Sequence, residues 1–144
     1  IGLRFFTVYG PWGRPDMAYF SFTKKILSGD KIQVYNYGKM RRDFTYIQDI
    51  ISAIENIVDS FPENKCNEIY NLGNNEPKEL NFFIKVLEDL LGKKANIEYV
   101  DHQLGDVKTT YADISKINNF VKFSPDTKLE EGLKKFIDWY KSYY

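Results

Sequence analysis

Apolar runs and amphipathic segments alternate along this chain, and their order predicts an α/β fold. Residues 3–8 are apolar and aromatic without alternation, which is typical of a strand covered on both faces. Residues 32–35 alternate between apolar and polar side chains as a half-buried strand does. Further short strands are predicted at residues 43–47, 68–73 and 97–100.

Segments with apolar residues at helical spacing separate these strands and follow them. A first helix is predicted to end near residues 28–30, and a short helix precedes the final one. The apolar faces expected in the three longest helices are Ile50, Ile51, Ile54, Ile57 and Val58, then Phe83, Ile84, Leu87, Leu90 and Leu91, then Leu129, Leu133, Phe136, Ile137 and Tyr140. Gly92 is expected to end the second in the left-handed conformation, and Thr127 with Glu130 predicts a capping box before the third.

The end of the first predicted strand is the best candidate for a site. Pro11 and Pro15 fix φ and lack an N–H donor, so the chain must leave the sheet there. Ligands of open α/β sheets bind just beyond the carboxyl ends of such strands. We therefore expect Thr7, Tyr9 and Arg14 to face a site.

A small basic cluster follows the second strand, in the polar connection over residues 36–42. Lys39, Arg41 and Arg42 supply the charge. Such a run is usually a solvated surface loop, and the functional alternative is neutralisation of a phosphate. Asp43, which follows directly, is a candidate to orient a neighbouring cation.

Composition limits the classes of function. The chain has 144 residues, 43% of them hydrophobic, which suits one domain with a core. Its 20 basic and 20 acidic residues cancel, so there is no electrostatic footprint for nucleic acid or a membrane surface. The single cysteine, Cys66, cannot form an internal disulfide, which favours a reducing, cytoplasmic location. No group of residues has metal-ligand spacing.

Residues 10–18, with the sequence GPWGRPDMA, carry a family resemblance together with Thr7. This run resembles the late Rossmann strand and following loop of the extended short-chain dehydrogenase/reductase family, which includes nucleotide-sugar epimerases and dehydratases. The broad family usually has Asn where this chain has Thr7, and the combination looks like the UDP-glucuronate 4-epimerase branch. The resemblance continues through nearly the whole chain.

The resemblance implies an α/β fold that is the carboxyl-terminal portion of an extended Rossmann-type epimerase. Residues 1–144 would combine the last Rossmann strands with a small α/β substrate-binding domain, interleaved in sequence. The chain contains no Gly-rich dinucleotide fingerprint, and no Tyr-x-x-x-Lys pair precedes the strand at residues 3–8, where the family would place it. We therefore expect an epimerase portion without its amino-terminal NAD-binding part, inactive alone; a complete but diverged protein is the alternative.

The resemblance also assigns substrate-binding residues. Thr7 and Arg14 would contact the sugar carboxylate, which suits a hydroxyl and a forked guanidinium. Arg42, in an Arg-Asp-Phe sequence, matches the phosphate-contacting Arg of the family.

Further contacts follow from the same comparison, and no residue of this chain is assigned a catalytic role. Tyr35 would pack against uracil, although an aromatic residue at a strand end is usually core. Asp106 would accept hydrogen bonds from the ribose hydroxyls, and Gln103 stands where many relatives carry an Arg that faces phosphate. The residues expected near the nicotinamide of NAD are Phe5, Phe6 and Val8.

The implied activity of the parent enzyme is interconversion of UDP-glucuronate and UDP-galacturonate through transient oxidation at carbon 4, with NAD as a tightly held cofactor. The alternatives are a related NAD-dependent UDP-sugar decarboxylase or dehydratase, and a noncatalytic UDP-sugar-binding or interaction module. The expected partners are a UDP-sugar and further copies of the same chain in a homo-oligomer, with no nucleic acid and no membrane.

Overall fold

The structure, a computed structural model, describes residues 1–61, 67–102 and 105–144. The elements in chain order are β1 (Gly2–Phe5), β2 (Thr7–Tyr9), α1 (Ala18–Ser28), β3 (Lys31–Tyr35), β4 (Arg41–Arg42), β5 (Phe44–Tyr46), α2 (Ile47–Asp59), β6 (Ile69–Leu72), β7 (Lys78–Glu79), α3 (Leu80–Leu91), β8 (Asn96–Val100), α4 (Ser115–Val121) and α5 (Leu129–Tyr143). A short 3₁₀ turn, Asn36–Gly38, follows β3. Helices packed on mostly parallel strands confirm the α/β class.

The opening apolar run forms two strands rather than one. β1 pairs in parallel with β6, whereas β2 pairs in parallel with β5. The exchange of partner occurs between adjacent residues: the Phe6 amide donates to the Leu72 carbonyl at 3.0 Å, and the Thr7 amide donates to the Asp43 carbonyl at 3.2 Å. The chain therefore leaves one neighbour for another just before the Gly-Pro turn, the kind of position where α/β sheets open a crevice.

The remaining strands form two more pairs. β3 and β8 pair in parallel, in agreement with the strands predicted at residues 32–35 and 97–100. The short strands β4 and β7 pair antiparallel, with Arg41 opposite Glu79, and β7 was not predicted. An isolated parallel bridge from Arg41 to Thr109 brings the segment after β8 alongside β4.

Two apolar clusters form the core. The larger one packs α1, α3 and α5 against β2, β3 and β5, and it buries the whole predicted face of α5. The smaller one packs α2 and α4 against β6. In α2 the predicted stripe was partly wrong: Ile51 and Val58 are 39% and 65% exposed. The small side chain of Ala53 lies at the centre of the buried face instead, between Ile50 and Ile57.

The helix ends test two predictions. Gly92 follows α3 with a φ of +65°, as predicted. The capping box at α5 was wrong, because the helix begins after Lys128 and has no side-chain cap. The Thr127 hydroxyl donates instead to the Asp49 carboxylate at 2.9 Å, which uses the group that the cap needed. Over the described ranges, no helix has the length and apolar content to cross a membrane.

Self-association is the testable consequence of the strand pairing. In the described ranges neither β1 nor β6 has a second strand neighbour, and Phe5 and Ile69 are 52% and 48% exposed. Open edges beside exposed apolar side chains favour pairing between chains. We expect sedimentation velocity to show dimers or larger species at micromolar concentration, and Ile69→Lys to reduce them.

Leu27→Lys is the matched control for that measurement. Leu27 is an exposed apolar residue on α1, outside the β1–β6 pair, so its substitution should leave the association unchanged. A wild-type chain that stays monomeric up to about 100 μM, a concentration at which exposed edges normally associate, would contradict the prediction.

Candidate functional site

The turn after β2 builds the first wall of the site. Trp12 adopts a positive φ of 61°, and a Cβ at Gly13 would collide with the Tyr19 hydroxyl, so the loop approaches α1 closely. The Met17 amide then donates to the Arg14 carbonyl at 3.2 Å, which closes a turn over residues 14–17. Pro15 occupies the second position of this turn, where its fixed φ is favourable.

An open groove of about 740 Å³ lies between this turn and the start of α2. Its lining includes five of the residues expected to face a site, Phe5, Phe6, Val8, Tyr9 and Arg14. An adjoining cavity of about 260 Å³ is lined by Thr7 and Arg42 among others, and Met17 lines both spaces. The structure thus brings seven of the residues selected from the sequence to two neighbouring compartments. One is apolar and lies at the strand end, and the smaller one reaches Arg42.

Arg42 and Asp106, predicted separately, form a half-buried ion pair. One Nη of Arg42 donates to the Asp106 carboxylate at 2.7 Å, and the other donates to the carbonyls of Val107 at 2.6 Å and Arg41 at 3.0 Å. The two charged side chains are 21% and 32% exposed. The Nη that binds Asp106 also donates to the Met40 sulfur at 3.8 Å, so within the described residues the Nε–H of Arg42 is the donor left open to a ligand.

Arg14 faces a carboxylate that sequence reasoning did not assign. Its Nε donates to one oxygen of Asp16 at 3.0 Å and its Nη2 donates to the other at 2.5 Å. The hydrogen bonds with Arg14 lower the pKa of Asp16, and the same bonds raise the pKa of Arg14. The pair stays ionised at neutral pH and lies at the surface, with side chains 76% and 62% exposed.

The remaining predicted contacts lie apart or outside the described residues. Tyr35 ends β3 opposite Val100 and is half-buried, and it does not line the two compartments that hold Thr7 and Arg14. Two residues on, Tyr37 stacks on Tyr99 with ring centroids 6.2 Å apart and donates to Asp101 at 3.1 Å. Gln103 lies outside the described residues.

Asp43 holds the site together, although it does not orient a cation as expected. Its buried carboxylate accepts backbone hydrogen bonds from Asn74 at 2.8 Å, Asn75 at 3.1 Å and Ala112 at 2.8 Å. Its own amide donates to the Thr110 hydroxyl at 3.1 Å. A signal was available in the sequence, since a carboxylate at the edge of the apolar run Phe44–Tyr46 must find several donors if it is buried.

The loops joined by Asp43 also need close backbone approach. A Cβ at Gly73 would collide with the Ala112 side chain and lie 3.1 Å from an Asp43 carboxylate oxygen. Glycine at this position therefore lets the turn after β6 reach both the carboxylate and the 110–112 segment.

A second carboxyl group, that of Asp49, lies at the other end of β5 in the first turn of α2. Burial is the largest influence on it and raises its pKa, while the hydrogen bond from Thr127 acts in the opposite direction. One of its oxygens accepts from Thr127, whereas the other is buried and has no partner among the described residues.

Comparison with known proteins defines the class. A sequence model of the NAD dependent epimerase/dehydratase family matches residues 1–73. The chain therefore belongs to this family, whose members use NAD, and the resemblance carried by residues 7–18 is confirmed.

Particular relatives are nucleotide-sugar enzymes. UDP-glucuronate 4-epimerase 1 of Arabidopsis thaliana is 47% identical in an alignment of 158 residues that covers 99% of this chain and 37% of that protein. UDP-glucuronic acid 4-epimerase from Bacillus cereus, solved with UDP-glucuronic acid and NAD, superposes with a TM-score of 0.86 at 36% identity, over 99% of this chain and 45% of that one. MoeE5, in complex with UDP-glucuronic acid and NAD, superposes with a TM-score of 0.90 at 30% identity, over 99% of this chain and 47% of that one. The chain thus spans less than half the length of these relatives.

Loss of the Asp43 carboxylate should destabilise the fold strongly. Asp43→Ala leaves three backbone amides without their charged acceptor, a cost of at least ~3 kcal/mol in the free energy of unfolding. Urea unfolding followed by far-UV circular dichroism measures it. Asp138→Ala is the control. Among the described residues Asp138 forms an exposed ion pair with Lys134, one helical turn away, so its loss should leave the midpoint almost unchanged. Equal midpoints for the two variants would contradict the role assigned to Asp43.

Asp49 should make the folded state less stable as the pH rises, because its pKa is raised by burial. A carboxyl whose pKa is higher in the folded state than in the unfolded state stabilises below its unfolded pKa, near the ordinary 3.8, and that contribution is lost as the pH rises through the raised value. Asp49→Asn keeps an acceptor for Thr127 and removes the buried charge, so its Tm should exceed that of the wild type by ~2 °C at pH 7. The gain should shrink toward pH 4.

Thr127→Val provides the opposite perturbation. It removes the hydrogen bond that lowers the pKa of Asp49, so its stability should fall more steeply with pH than that of the wild type. An Asp49→Asn variant that melts below the wild type at pH 7 would show that the ionised carboxyl is favourable, contrary to this expectation.

Proposed function

We propose that this chain supplies the nucleotide-sugar half of the active site of an NAD-dependent UDP-sugar epimerase, and that the sugar is UDP-glucuronate or UDP-galacturonate. The observation that carries the proposal is the pair of neighbouring compartments around β2 and the turn that follows it. A hydroxyl (Thr7) and a half-buried guanidinium (Arg42) line the smaller one, and a second guanidinium (Arg14) lines the groove beside it.

The groove suits the nicotinamide end of the cofactor. Its wall at Phe5, Phe6 and Val8 is apolar, and ring-sized apolar surface with few polar groups is what a nicotinamide packs against. When bound, NAD supplies transient oxidation of carbon 4 of the sugar. The residues of this chain hold the sugar beside that wall while its 4-keto form rotates.

The pair Thr7 and Arg14 supports a uronate rather than a neutral sugar. Oxidation of carbon 4 converts a uronate into a β-keto acid, which can lose carbon dioxide. A carboxylate gripped by a hydroxyl and a guanidinium is held away from the geometry that this cleavage needs. A neutral sugar has no carboxylate for Arg14 to bind, so Arg14 would add no charge-assisted hydrogen bond to its binding.

Arg42 and Asp106 support a nucleotide diphosphate in the smaller compartment. Among the described residues, the Nε–H of Arg42 is the donor left for a phosphate oxygen, and the second carboxylate oxygen of Asp106 is an acceptor for a diol such as ribose. Tyr35 as a uracil contact and Gln103 near phosphate stay predictions from the family resemblance.

The alternatives differ in what they ask of this half-site. A related decarboxylase or dehydratase would bind the same class of ligand and differ in the catalytic groups, so the half-site alone does not separate them. A noncatalytic UDP-sugar-binding module would bind the ligand with no dependence on NAD. The assignment of residues 1–144 to the substrate portion, a homo-oligomeric state and a cytoplasmic location belong to the proposal as well.

Calorimetric titration with UDP, UDP-glucuronate and UDP-glucose, with and without NAD, tests the proposal. We expect UDP-glucuronate to bind more tightly than UDP-glucose. Arg14→Ala should weaken UDP-glucuronate about tenfold, because a charge-assisted bidentate contact is lost, and leave UDP-glucose within about twofold.

Arg42→Gln is the matched comparison for Arg14→Ala. It removes the phosphate donor common to all three ligands, so their affinities should fall together while their ratio stays constant. Thermal melting of each variant checks that the fold is retained. Equal affinity of the wild type for UDP-glucuronate and UDP-glucose would rule out the uronate assignment, and no binding of any of the three would rule out the half-site.

A further inference from the structure

We propose that Asp16 is a positioning residue that holds the Arg14 guanidinium by one edge and leaves the other edge free for the carboxylate of the sugar, an inference that rests on the function proposed above. A guanidinium has two edges that can bind a carboxylate with two parallel bonds. Asp16 takes the edge formed by Nε and Nη2, with donor-to-acceptor distances of 3.0 and 2.5 Å.

Three N–H donors of Arg14 remain after its two bonds to Asp16. Arginine carries five N–H donors, and Asp16 uses one on Nε and one on Nη2. Both hydrogens on Nη1 and the second one on Nη2 stay available within the described residues, and Nη1 with Nη2 makes the end-on edge. A second carboxylate can therefore bind end-on without displacing Asp16.

The backbone fixes this relation before any ligand arrives. The bond from the Met17 amide to the Arg14 carbonyl at 3.2 Å closes the turn, and Pro15 stands between the two charged residues. Gly13, whose Cβ would collide with Tyr19, anchors the amino end of the same turn on α1. The ion pair is thus presented from a short, restricted loop at the rim of the groove.

The energetics point to orientation rather than folding stability. Side chains that are 76% and 62% exposed form a pair screened by water, and such pairs contribute little to folding. A free Arg side chain loses much rotamer freedom when it grips a ligand, whereas one already held by Asp16 has lost part of it beforehand. Repulsion between Asp16 and the incoming carboxylate acts across an exposed guanidinium and is screened.

Asp16→Asn tests the proposal through ligand selectivity. The amide keeps the size of the side chain but turns two hydrogens toward a donor, so the two-bond grip is lost. We expect UDP-glucuronate to bind about fivefold more weakly, with UDP-glucose and UDP within about twofold of the wild type, because only the uronate uses Arg14. The Tm should not change, since the pair adds little to the fold.

Asp138→Asn is the matched control, an exposed carboxylate paired with Lys134 at 2.6 Å and far along α5. It should alter none of the three affinities. An Asp16→Asn chain with equal or tighter binding of UDP-glucuronate would overturn the proposal, because Asp16 would then be neutral toward the ligand or compete with it.

A measurement without ligand separates this inference from the proposed function. In ¹⁵N-arginine-labelled protein the Arg14 Nε–H signal, assigned with Arg14→Lys, should exchange slowly with water in the wild type and quickly in Asp16→Asn. Fast exchange of this Nε–H in the wild type would contradict the proposal that Asp16 fixes the guanidinium, independently of the measured nucleotide affinities. Slow exchange together with no binding of any UDP-sugar would overturn the uronate role and the proposed half-site while the grip by Asp16 stands.

Discussion

The carboxylate of Asp43 is the interaction on which the rest of this structure depends. It is buried and collects backbone amides from two segments that are 31 and 69 residues away in sequence. Its carbonyl oxygen accepts from the Thr7 amide, and its peptide neighbour is Arg42. One residue therefore joins the start of β2, the start of β5, the turn after β6 and the segment that follows Asp106. A buried carboxylate with three backbone donors is costly to remove, so the geometry around the site is held by a satisfied charge rather than by apolar packing alone.

That arrangement explains why the first strand changes partner. β1 stays with β6 as far as Leu72, after which the turn at residues 74–75 is drawn onto Asp43. β2 can then pair only with β5, which begins directly after Asp43. A further open space of about 370 Å³, lined by Phe5, Phe6, Thr7, Met17 and Thr110, lies at this exchange of partners. The site is thus a consequence of chain topology, and its polar side chains come from the loops that this topology leaves open.

Periodicity predicted the parts of the fold in which one face of an element is buried. The complete α5 face and the strand β3 followed from it, because burial on one side imposes the period on the sequence. Periodicity failed where a contact with a residue distant in sequence determines the local structure. Thr127 was expected to cap α5 but donates to Asp49, 78 residues away, and an uninterrupted apolar run could not say that residues 3–8 divide between two neighbours. The Gly-Pro loop could be selected from the sequence because its prolines mark where the chain leaves the sheet. Asp16 was missed and Asp43 was given another role, since their contacts are hydrogen bonds that only the folded chain forms.

The two guanidinium groups at the site are both paired, and the difference between them bears on selectivity. Arg42 and Asp106 are half-buried, where attraction between charges is less screened, so a phosphate must join that pair rather than break it. Arg14 and Asp16 are exposed, and their partnership restricts direction more than it stores energy. Cations that each carry their own carboxylate create little long-range field, in keeping with a chain whose net charge is zero. These two paired groups therefore attract polyanions only weakly at long range, whereas a ligand whose phosphate reaches the Arg42 Nε–H and whose carboxylate reaches the free edge of Arg14 gains at two separate points.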